Sequence, residues 1–141
     1  MKRTIATIAA AVLSTGLAQA QDTRDAVNAE ITAMFGGVPT FMNEMADAAV
    51  VGIWKQTKSL YFTDATALDS KTKALISLAV GAQIPCQYCV WMDTNSARIA
   101  GATDQEIAEA VAIAGHTRNM STIFYGLQTD FDVMKAELGG P

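Results

Sequence analysis

Two cysteines, Cys86 and Cys89, are the residues of this sequence whose type and spacing best suit chemistry. Residues three apart lie on one face of a helix with Cβ atoms about 5–6 Å apart. A disulfide needs Cβ atoms about 3.8 Å apart, so a small adjustment of one helical turn lets the pair open and close. Pro85 comes directly before the pair and predicts a helix N-terminus here, where the dipole and free N–H groups favour a thiolate. The pattern predicts a redox-active dithiol.

The same cysteine pair has three other possible uses. As a structural disulfide it closes a four-residue loop and stabilises the fold by only about 2 kcal/mol, against about 4.7 kcal/mol for a 100-residue loop. Zinc needs three or four ligands, and His116 is the one further soft ligand of the obvious kind. Cu(I) suits thiolates and thioethers, but the six methionines that follow Met1 are scattered at helical positions, which is typical of core or interface packing. We therefore favour a redox role with no metal and no cofactor, and keep the structural bridge and Cu(I) binding as alternatives.

Residues 1–20 have the pattern of a secretory signal peptide, with a basic start, an apolar stretch over Ile5–Leu17 and an Ala-Gln-Ala cleavage site. The apolar stretch is too short for a bilayer span, which needs about 20 such residues. No later stretch is long and apolar enough to hold the chain in a membrane. We expect cleavage near Ala20-Gln21, a periplasmic or secreted protein, and one domain over residues 21–141.

The charge balance argues against two classes of partner. The leader holds two of the ten basic residues and none of the fourteen acidic ones, so eight basic residues and a net charge of −6 remain after cleavage. An acidic chain without basic clusters has no electrostatic surface for nucleic acid or anionic lipid. Half of the residues are apolar, which leaves apolar surface beyond the core, and self-association is its simplest cover.

Apolar residues recur at helical spacing and alternate strictly almost nowhere, which predicts an all-α fold of about six helices. The best local signals are a cap at Asp69 or Ser70, a left-handed stop at Gly101 and a capping box from Thr103 to Glu106. The third helix carries an apolar stripe made by Leu75, Ile76, Ala79 and Val80. The predicted helices span approximately 22–35, 39–59, 70–83, 86–100, 104–116 and 119–138.

Three segments carry a more specific likeness: Leu68–Val80, Cys86–Cys89 and Ala100–Ala110. Together they resemble the carboxymuconolactone decarboxylase superfamily, and its alkyl hydroperoxidase D-like branch in particular, because that branch has the Cys-x-x-Cys. The likeness covers roughly residues 60–130. It implies a bundle built around a helical hairpin, assembled as a homotrimer or homohexamer with the dithiol near a subunit interface. It also implies reduction of organic peroxides, without a bound cofactor, through a cysteine sulfenate that closes to a disulfide.

The resemblance implies that Cys89 attacks the peroxide and that Cys86 resolves the intermediate, whereas the helix dipole alone would favour Cys86. The family pattern has a glutamate twelve residues before the first cysteine and a histidine four after the second. Here these positions hold Ala74 and Asp93. Asp93 lies one helical turn after Cys89. An ionised carboxylate there disfavours the thiolate, while a protonated or water-bridged one can act as an acid–base group. We therefore expect weaker peroxidase turnover than in the family.

His116 has two interpretations. It is either a helix C-terminal residue placed favourably against the dipole, or an acid–base group that reaches Cys89 by folding back or across a subunit interface. The expected substrate is a small peroxide or a disulfide, and the thiol reductant is not readable from the sequence. A γ-carboxymuconolactone decarboxylase-type enzyme is the second enzymatic interpretation, and a Cu(I)-binding protein is the non-enzymatic one.

Overall fold

A computed structural model describes residues 22–139, which form seven helices and no strand. The all-α prediction is confirmed, and the predicted signal peptide at 1–20 lies outside the described residues. The described residues divide into two compact units after Thr63, while the single domain over residues 21–141 stays a prediction. No helix within 22–139 is long and apolar enough to span a membrane. The helices are α1 (Arg24–Phe35), α2 (Thr40–Glu44), α3 (Asp47–Tyr61), α4 (Ser70–Gln83), α5 (Gln87–Ile99), α6 (Asp104–Gly126) and α7 (Phe131–Leu138).

In the first unit, the helix predicted over 39–59 is interrupted at Met45, which separates α2 from α3. The cause lies on α1. The Arg24 guanidinium donates hydrogen bonds to the carbonyl oxygens of Met42, at 2.9 Å, and of Met45, and it pairs with the Asp47 carboxylate. The arginine thus satisfies carbonyls left open where α2 ends, and its carboxylate partner stands in the first turn of α3. A contact across more than twenty residues sets this break, so local spacing did not predict it.

The core of the first unit joins α1, α2 and α3. Beside it, the Trp54 indole N–H donates to the Glu30 carboxylate at 2.7 Å, and Lys58 pairs with the same carboxylate. These two hydrogen bonds, led by that of Lys58, lower the pKa of Glu30. The buried apolar side chains are Val27, Ile31, Met42, Val50 and Trp54.

The second unit is built on the helical hairpin of α4 and α5. Of the two predicted caps of α4, Asp69 is the one observed, and it accepts a hydrogen bond from the Thr72 N–H at 2.7 Å. Gly101 ends α5 in the left-handed region at φ 84°, as predicted. The apolar stripe on α4 does not supply the buried face, since Ile76 and Val80 are about half exposed. The buried positions of α4 are Ala74, Leu78 and Gly81.

Helix α6 begins at the predicted capping box, in which the Thr103 side chain and the Glu106 side chain each bond the other's backbone N–H. The predicted end near His116 is wrong, because the helix continues without a break to Gly126. Residues 117–119 contain no proline, and Arg118 bonds Gln83 of α4. The chain turns at 127–130 instead, and Asp130 caps α7 through the N–H groups of Asp132 and Val133.

Candidate functional site: the Cys86–Cys89 disulfide

Cys86 and Cys89 form a disulfide at the start of α5, with an S–S distance of 2.01 Å and a Cα–Cα distance of 5.3 Å. Cys86 is the N-cap residue of α5, and its Sγ accepts a hydrogen bond from the Cys89 backbone N–H at 3.2 Å. The backbone N–H of Cys86 donates to the Gly81 carbonyl oxygen at 3.0 Å. Both cysteines are half-buried. The prediction of a cysteine pair at a helix N-terminus is confirmed.

Gly81 brings α4 close to the disulfide. A Cβ atom built on Gly81 would lie 3.1 Å from the Cys89 Cβ and 3.5 Å from the Val90 backbone nitrogen. Contacts as short as 3.1 Å are tighter than ordinary packing, so a side chain at position 81 would push the two helices apart. The glycine therefore sets the approach of α4 to Cys89.

Asp93 lies one turn beyond Cys89 on α5 and is half-buried. The Ser77 hydroxyl, on α4, donates a hydrogen bond to its carboxylate. Burial raises the pKa of Asp93, and the Ser77 hydrogen bond opposes that rise in part. A carboxyl group with a raised pKa is better matched to proton exchange with a thiol than an ordinary aspartate.

Ala74 occupies the place of the family's glutamate, and it is 4% exposed, on the buried face of α4. No carboxylate is available at that point of the hairpin. Asp93 is therefore the acidic side chain of the hairpin that lies one turn from a cysteine.

His116 lies inside α6 and is exposed, so its interpretation as a helix C-terminal residue is wrong. Ala114 is buried, and positions two apart on a helix point in nearly opposite directions. His116 therefore faces away from the side of α6 on which Ala114 is buried. It lines a shallow hollow formed by other residues of α6 and by Thr129, with no residue of α5. Within one chain the structure does not bring His116 to the dithiol.

Arg118 ties α6 to the end of α4, directly before the cysteine pair. Its Nε donates to the Gln83 side-chain oxygen at 2.7 Å, and its terminal nitrogen donates to the Gln83 carbonyl at 3.0 Å. Gln83 in turn donates to the Ala114 carbonyl at 2.6 Å. These bonds hold the last turn of α4 from which the chain passes into Cys86.

A shallow groove of about 540 Å³ runs along α5, and neither cysteine lines it. Trp91, one of its lining residues, is 74% exposed, and Arg98 lies at its far end, paired with Asp104. Among residues 22–139 there is no group of three or more His, Cys, Asp or Glu side chains placed to hold a metal ion.

Sequence reasoning missed Ser77, Gly81 and Gln83. The first two carried a signal: they are four apart on α4, as Cys89 and Asp93 are on α5, and each pair marks one helix face. Which residue of α4 meets which residue of α5 depends on the register in which the two helices pack, and the sequence does not give that register. Gln83 carried no signal, because its partners lie 31 and 35 residues away.

The fold and the site define an all-helical domain with a Cys-x-x-Cys disulfide at the N-terminus of a hairpin helix. The chain belongs to the carboxymuconolactone decarboxylase family, whose model matches residues 48–128. It is similar to the crystal structure of the alkylhydroperoxidase AhpD core from Rhodospirillum rubrum, with a TM-score of 0.66 and 29% identity over 94% of this chain and 96% of that one. It is 34% identical over 73 residues to an uncharacterized protein 4 in the cox locus of Paracoccus denitrificans. That match covers 52% of this chain and 65% of the relative, so the chain spans slightly less than two thirds of that relative's length.

Proposed function

We propose that this chain is an exported thiol-dependent oxidoreductase whose Cys86–Cys89 pair reduces hydroperoxides or exchanges disulfides. The observation that carries the proposal is the position of the pair, with the Cys86 sulfur as the N-cap acceptor of α5. A sulfur in this position has a partner that stabilises its thiolate, which suits Cys86 to resolve an intermediate on Cys89 and to leave when the disulfide is reduced. Similarity to a solved alkylhydroperoxidase core supports the peroxide as substrate.

The reaction balances with the groups present and one hydroperoxide. Asp93 takes the Cys89 thiol proton, and the Cys89 thiolate attacks the distal oxygen of the hydroperoxide. The S–O bond forms, the O–O bond breaks, and the alkoxide leaves as an alcohol with the proton from Asp93. Cys86 then attacks the Cys89 sulfenic acid, the S–S bond forms, and hydroxide leaves as water with the proton that the Cys86 thiol loses. The dithiol supplies both electrons.

Cys89 is the attacking cysteine in this scheme because Asp93 lies one turn from Cys89 and two turns from Cys86. Cys86 is the resolving cysteine. Its hydrogen bond from the Cys89 N–H also makes it the better leaving group when an external thiol attacks Cys89 and reduces the disulfide.

Free thiols counted before and after cumene hydroperoxide test the proposal. The reduced protein should start with two thiols and fall to none with one equivalent of peroxide, with the disulfide seen by mass spectrometry. Cys86→Ser should instead stop at a sulfenate on Cys89 that dimedone traps. A count that stays at two would refute the peroxidase. Dimedone trapped on Cys86 in a Cys89→Ser variant, and none on Cys89 in Cys86→Ser, would reverse the two roles.

We propose a homotrimer or homohexamer, since large apolar side chains of α6, α7 and the turn between them stay exposed. Tyr125 is 89% exposed and Leu127 is 75% exposed. Burying such side chains between copies is favourable at about 25 cal/mol per Å² of apolar surface. Light scattering coupled to size exclusion measures the assembly, and a monomer at micromolar concentration would contradict it.

His116 enters the reaction only across such an interface. Subunits with His116→Ala and subunits with Cys89→Ser, refolded together, test this role. If His116 acts on a neighbouring copy, each parent loses peroxidase activity and the mixture recovers part of it. Full activity in His116→Ala alone would remove the histidine from the site.

Export follows from the leader and is tested by sequencing the mature N-terminus from a bacterial periplasmic fraction, with Gln21 expected. A protein that keeps residues 1–20 in the cytoplasm would contradict it. The thiol reductant would then be one that acts outside the cytoplasm.

A decarboxylase-type reaction is the second candidate, because the family is named for it. Loss of γ-carboxymuconolactone, followed in the wild type and in Cys86→Ser with Cys89→Ser, separates the two reactions. Decarboxylation that survives loss of both thiols would replace the oxidoreductase by a decarboxylase. Absence of lactone turnover would favour the oxidoreductase.

A further inference from the structure

Two contacts set the register of the α4–α5 hairpin. Gly81 lies against Cys89, and Ser77, one turn earlier on α4, bonds Asp93, one turn later on α5. The two helices therefore run antiparallel, and the two contacting pairs lie on successive helical turns. The disulfide cysteine and the acidic side chain are held by adjacent positions of the same opposing helix face.

We infer that Ser77 is the positioning residue of Asp93: its hydroxyl holds the carboxyl in the α4–α5 contact, so that Asp93 exchanges the proton of Cys89. The inference deepens the proposed function by naming how this chain handles a proton without the family's glutamate and histidine. A carboxylate without a fixed partner would rotate freely between the thiol and solvent. The Ser77 hydroxyl removes that freedom, as supporting hydrogen bonds do at metal and acid–base sites.

Ser77 is the hydrogen-bond partner of Asp93, and the lysines of α4 do not compete for the carboxylate. Lys71 of α4 pairs with Glu106 of α6 at 2.7 Å, which occupies both groups with each other. Lys73 stands one turn before Ser77 on α4. Burial raises the pKa of Asp93, and the Ser77 hydrogen bond opposes that rise. The other charged or titratable groups on the elements packed here are Tyr88 and Arg98 of α5 and Asp104, Glu109, His116, Arg118 and Tyr125 of α6.

Alkylation of Cys89 by iodoacetamide in the full-length Cys86→Ser protein reports on proton exchange between Cys89 and Asp93 (the proton pair) without any peroxide. A plot of the alkylation rate against pH should show two steps: the ionisation of the Cys89 thiol and, at lower pH, the ionisation of Asp93. Ser77→Ala should move that step upward by about 0.5–1 pH unit, because burial remains while the donor is lost. Ser77→Thr keeps a hydroxyl and should restore the wild-type position. Asp93→Asn should remove the step, and Ser77→Ala should then have no further effect.

A step that stays in place in Ser77→Ala while the melting temperature falls would show that Ser77 is only structural and overturn the inference. A profile identical in wild type and Asp93→Asn would also overturn it. Should Ser77→Ala fold poorly, a ¹³C NMR titration of the Asp93 carboxyl in the Ser77→Thr and wild-type proteins reads the same ionisation. An Asp93 carboxyl that titrates differently in Ser77→Thr and in the wild type would contradict the inference, because threonine keeps the hydroxyl donor.

The inference and the proposed function fail separately. If hydroperoxide leaves two thiols untouched while Ser77→Ala still shifts the alkylation step, the peroxidase is wrong and the proton pair stands. If peroxide consumes the thiols but Asp93→Asn and Ser77→Ala leave the pH profile unchanged, the peroxidase stands and the proton pair is wrong.

Discussion

The Sγ atom of Cys86 accepts a hydrogen bond from the backbone N–H of Cys89 at 3.2 Å. This N–H belongs to the first turn of α5, where backbone donors have no intrahelical partner. The sulfur thus fills the place that a serine, threonine or aspartate oxygen fills in most helix caps. One atom serves the fold and the chemistry, since a thiolate there gains a charge-assisted hydrogen bond and the favourable end of the dipole.

The first prediction concerns which thiol ionises more easily. In single-thiol variants, Cys86 studied in Cys89→Ser should react with iodoacetamide at lower pH than Cys89 studied in Cys86→Ser. The reason is that Cys86 has the cap hydrogen bond, while Cys89 has the Asp93 carboxyl one turn away. Rates measured from pH 5 to 10 decide it. Equal profiles, or an earlier reaction of Cys89, would contradict the assignment of the cap.

The second prediction separates the cap from the disulfide. Cys86→Ser and Cys86→Ala both remove the disulfide, but serine keeps an N-cap acceptor. We expect the alanine variant to be less stable than the serine variant by about 1 kcal/mol, measured by urea unfolding. Equal stabilities would mean that the hydrogen bond contributes nothing to α5.

The third prediction concerns Gly81. Gly81→Ala places a methyl group 3.1 Å from the Cys89 Cβ, and the disulfide and helix start limit how far Cys89 can move. We expect destabilisation of about 1–3 kcal/mol, and an altered rate of disulfide reduction by dithiothreitol.

Gly115→Ala is the matched control for Gly81→Ala. Gly115 is also inside a helix of the second unit, but a Cβ there meets nothing within 4 Å. We expect this variant to be more stable than wild type, by up to about 1 kcal/mol from helix propensity. Two variants with the same sign of stability change would refute the close-approach role of Gly81.

The fourth prediction is a pH dependence. The hydrogen bond from Lys71, helped by the Thr103 N–H, lowers the pKa of Glu106 to about 2 from an ordinary 4.5. A group with a depressed folded-state pKa stabilises the fold above its unfolded pKa, and this contribution is lost as pH falls toward the folded value. Glu106→Gln should therefore melt below wild type at pH 7, and the difference should vanish between pH 4.5 and about 2.

Glu109→Gln is the control for that measurement, because the Glu109 carboxylate bonds only Gln105 of the same helix among the described contacts. Its melting temperature should follow wild type at every pH. Added salt should shrink the Glu106→Gln effect, since Lys71 and Glu106 are both partly exposed. A difference that persists at pH 2 would show that the ion pair is not its source.

The starts of α4 and α6 were predictable because a helix cap is a local device. Asp69 bonds the N–H of Thr72, and Thr103 and Glu106 bond each other, all within three residues. Residue type and spacing contain everything that such a cap needs. The helix at the cysteine pair was predictable for the same reason, from Pro85 and a spacing of one turn.

The break before α3 and the length of α6 were not predictable in this way. Arg24 satisfies the carbonyls of Met42 and Met45 from 18 and 21 residues away, and Arg118, past His116 on α6, bonds Gln83 of α4. Neither partner is visible in a window of one or two turns. The same holds for the buried face of α4: Gly81 lies against Cys89 of α5, whereas the more apolar Ile76 and Val80 stay about half exposed.

For the site, the sequence by itself determined the cysteine pair, its place at a helix N-terminus and the presence of Ala74 and Asp93 where the family pattern has a glutamate and a histidine. Only the tertiary structure decided that Asp93 has Ser77 as its partner, that Gly81 admits Cys89, and that His116 faces elsewhere. The physical reason is the range of the interactions. Caps and one-turn spacings act within four residues, whereas the rungs of a hairpin depend on the register in which two helices pack.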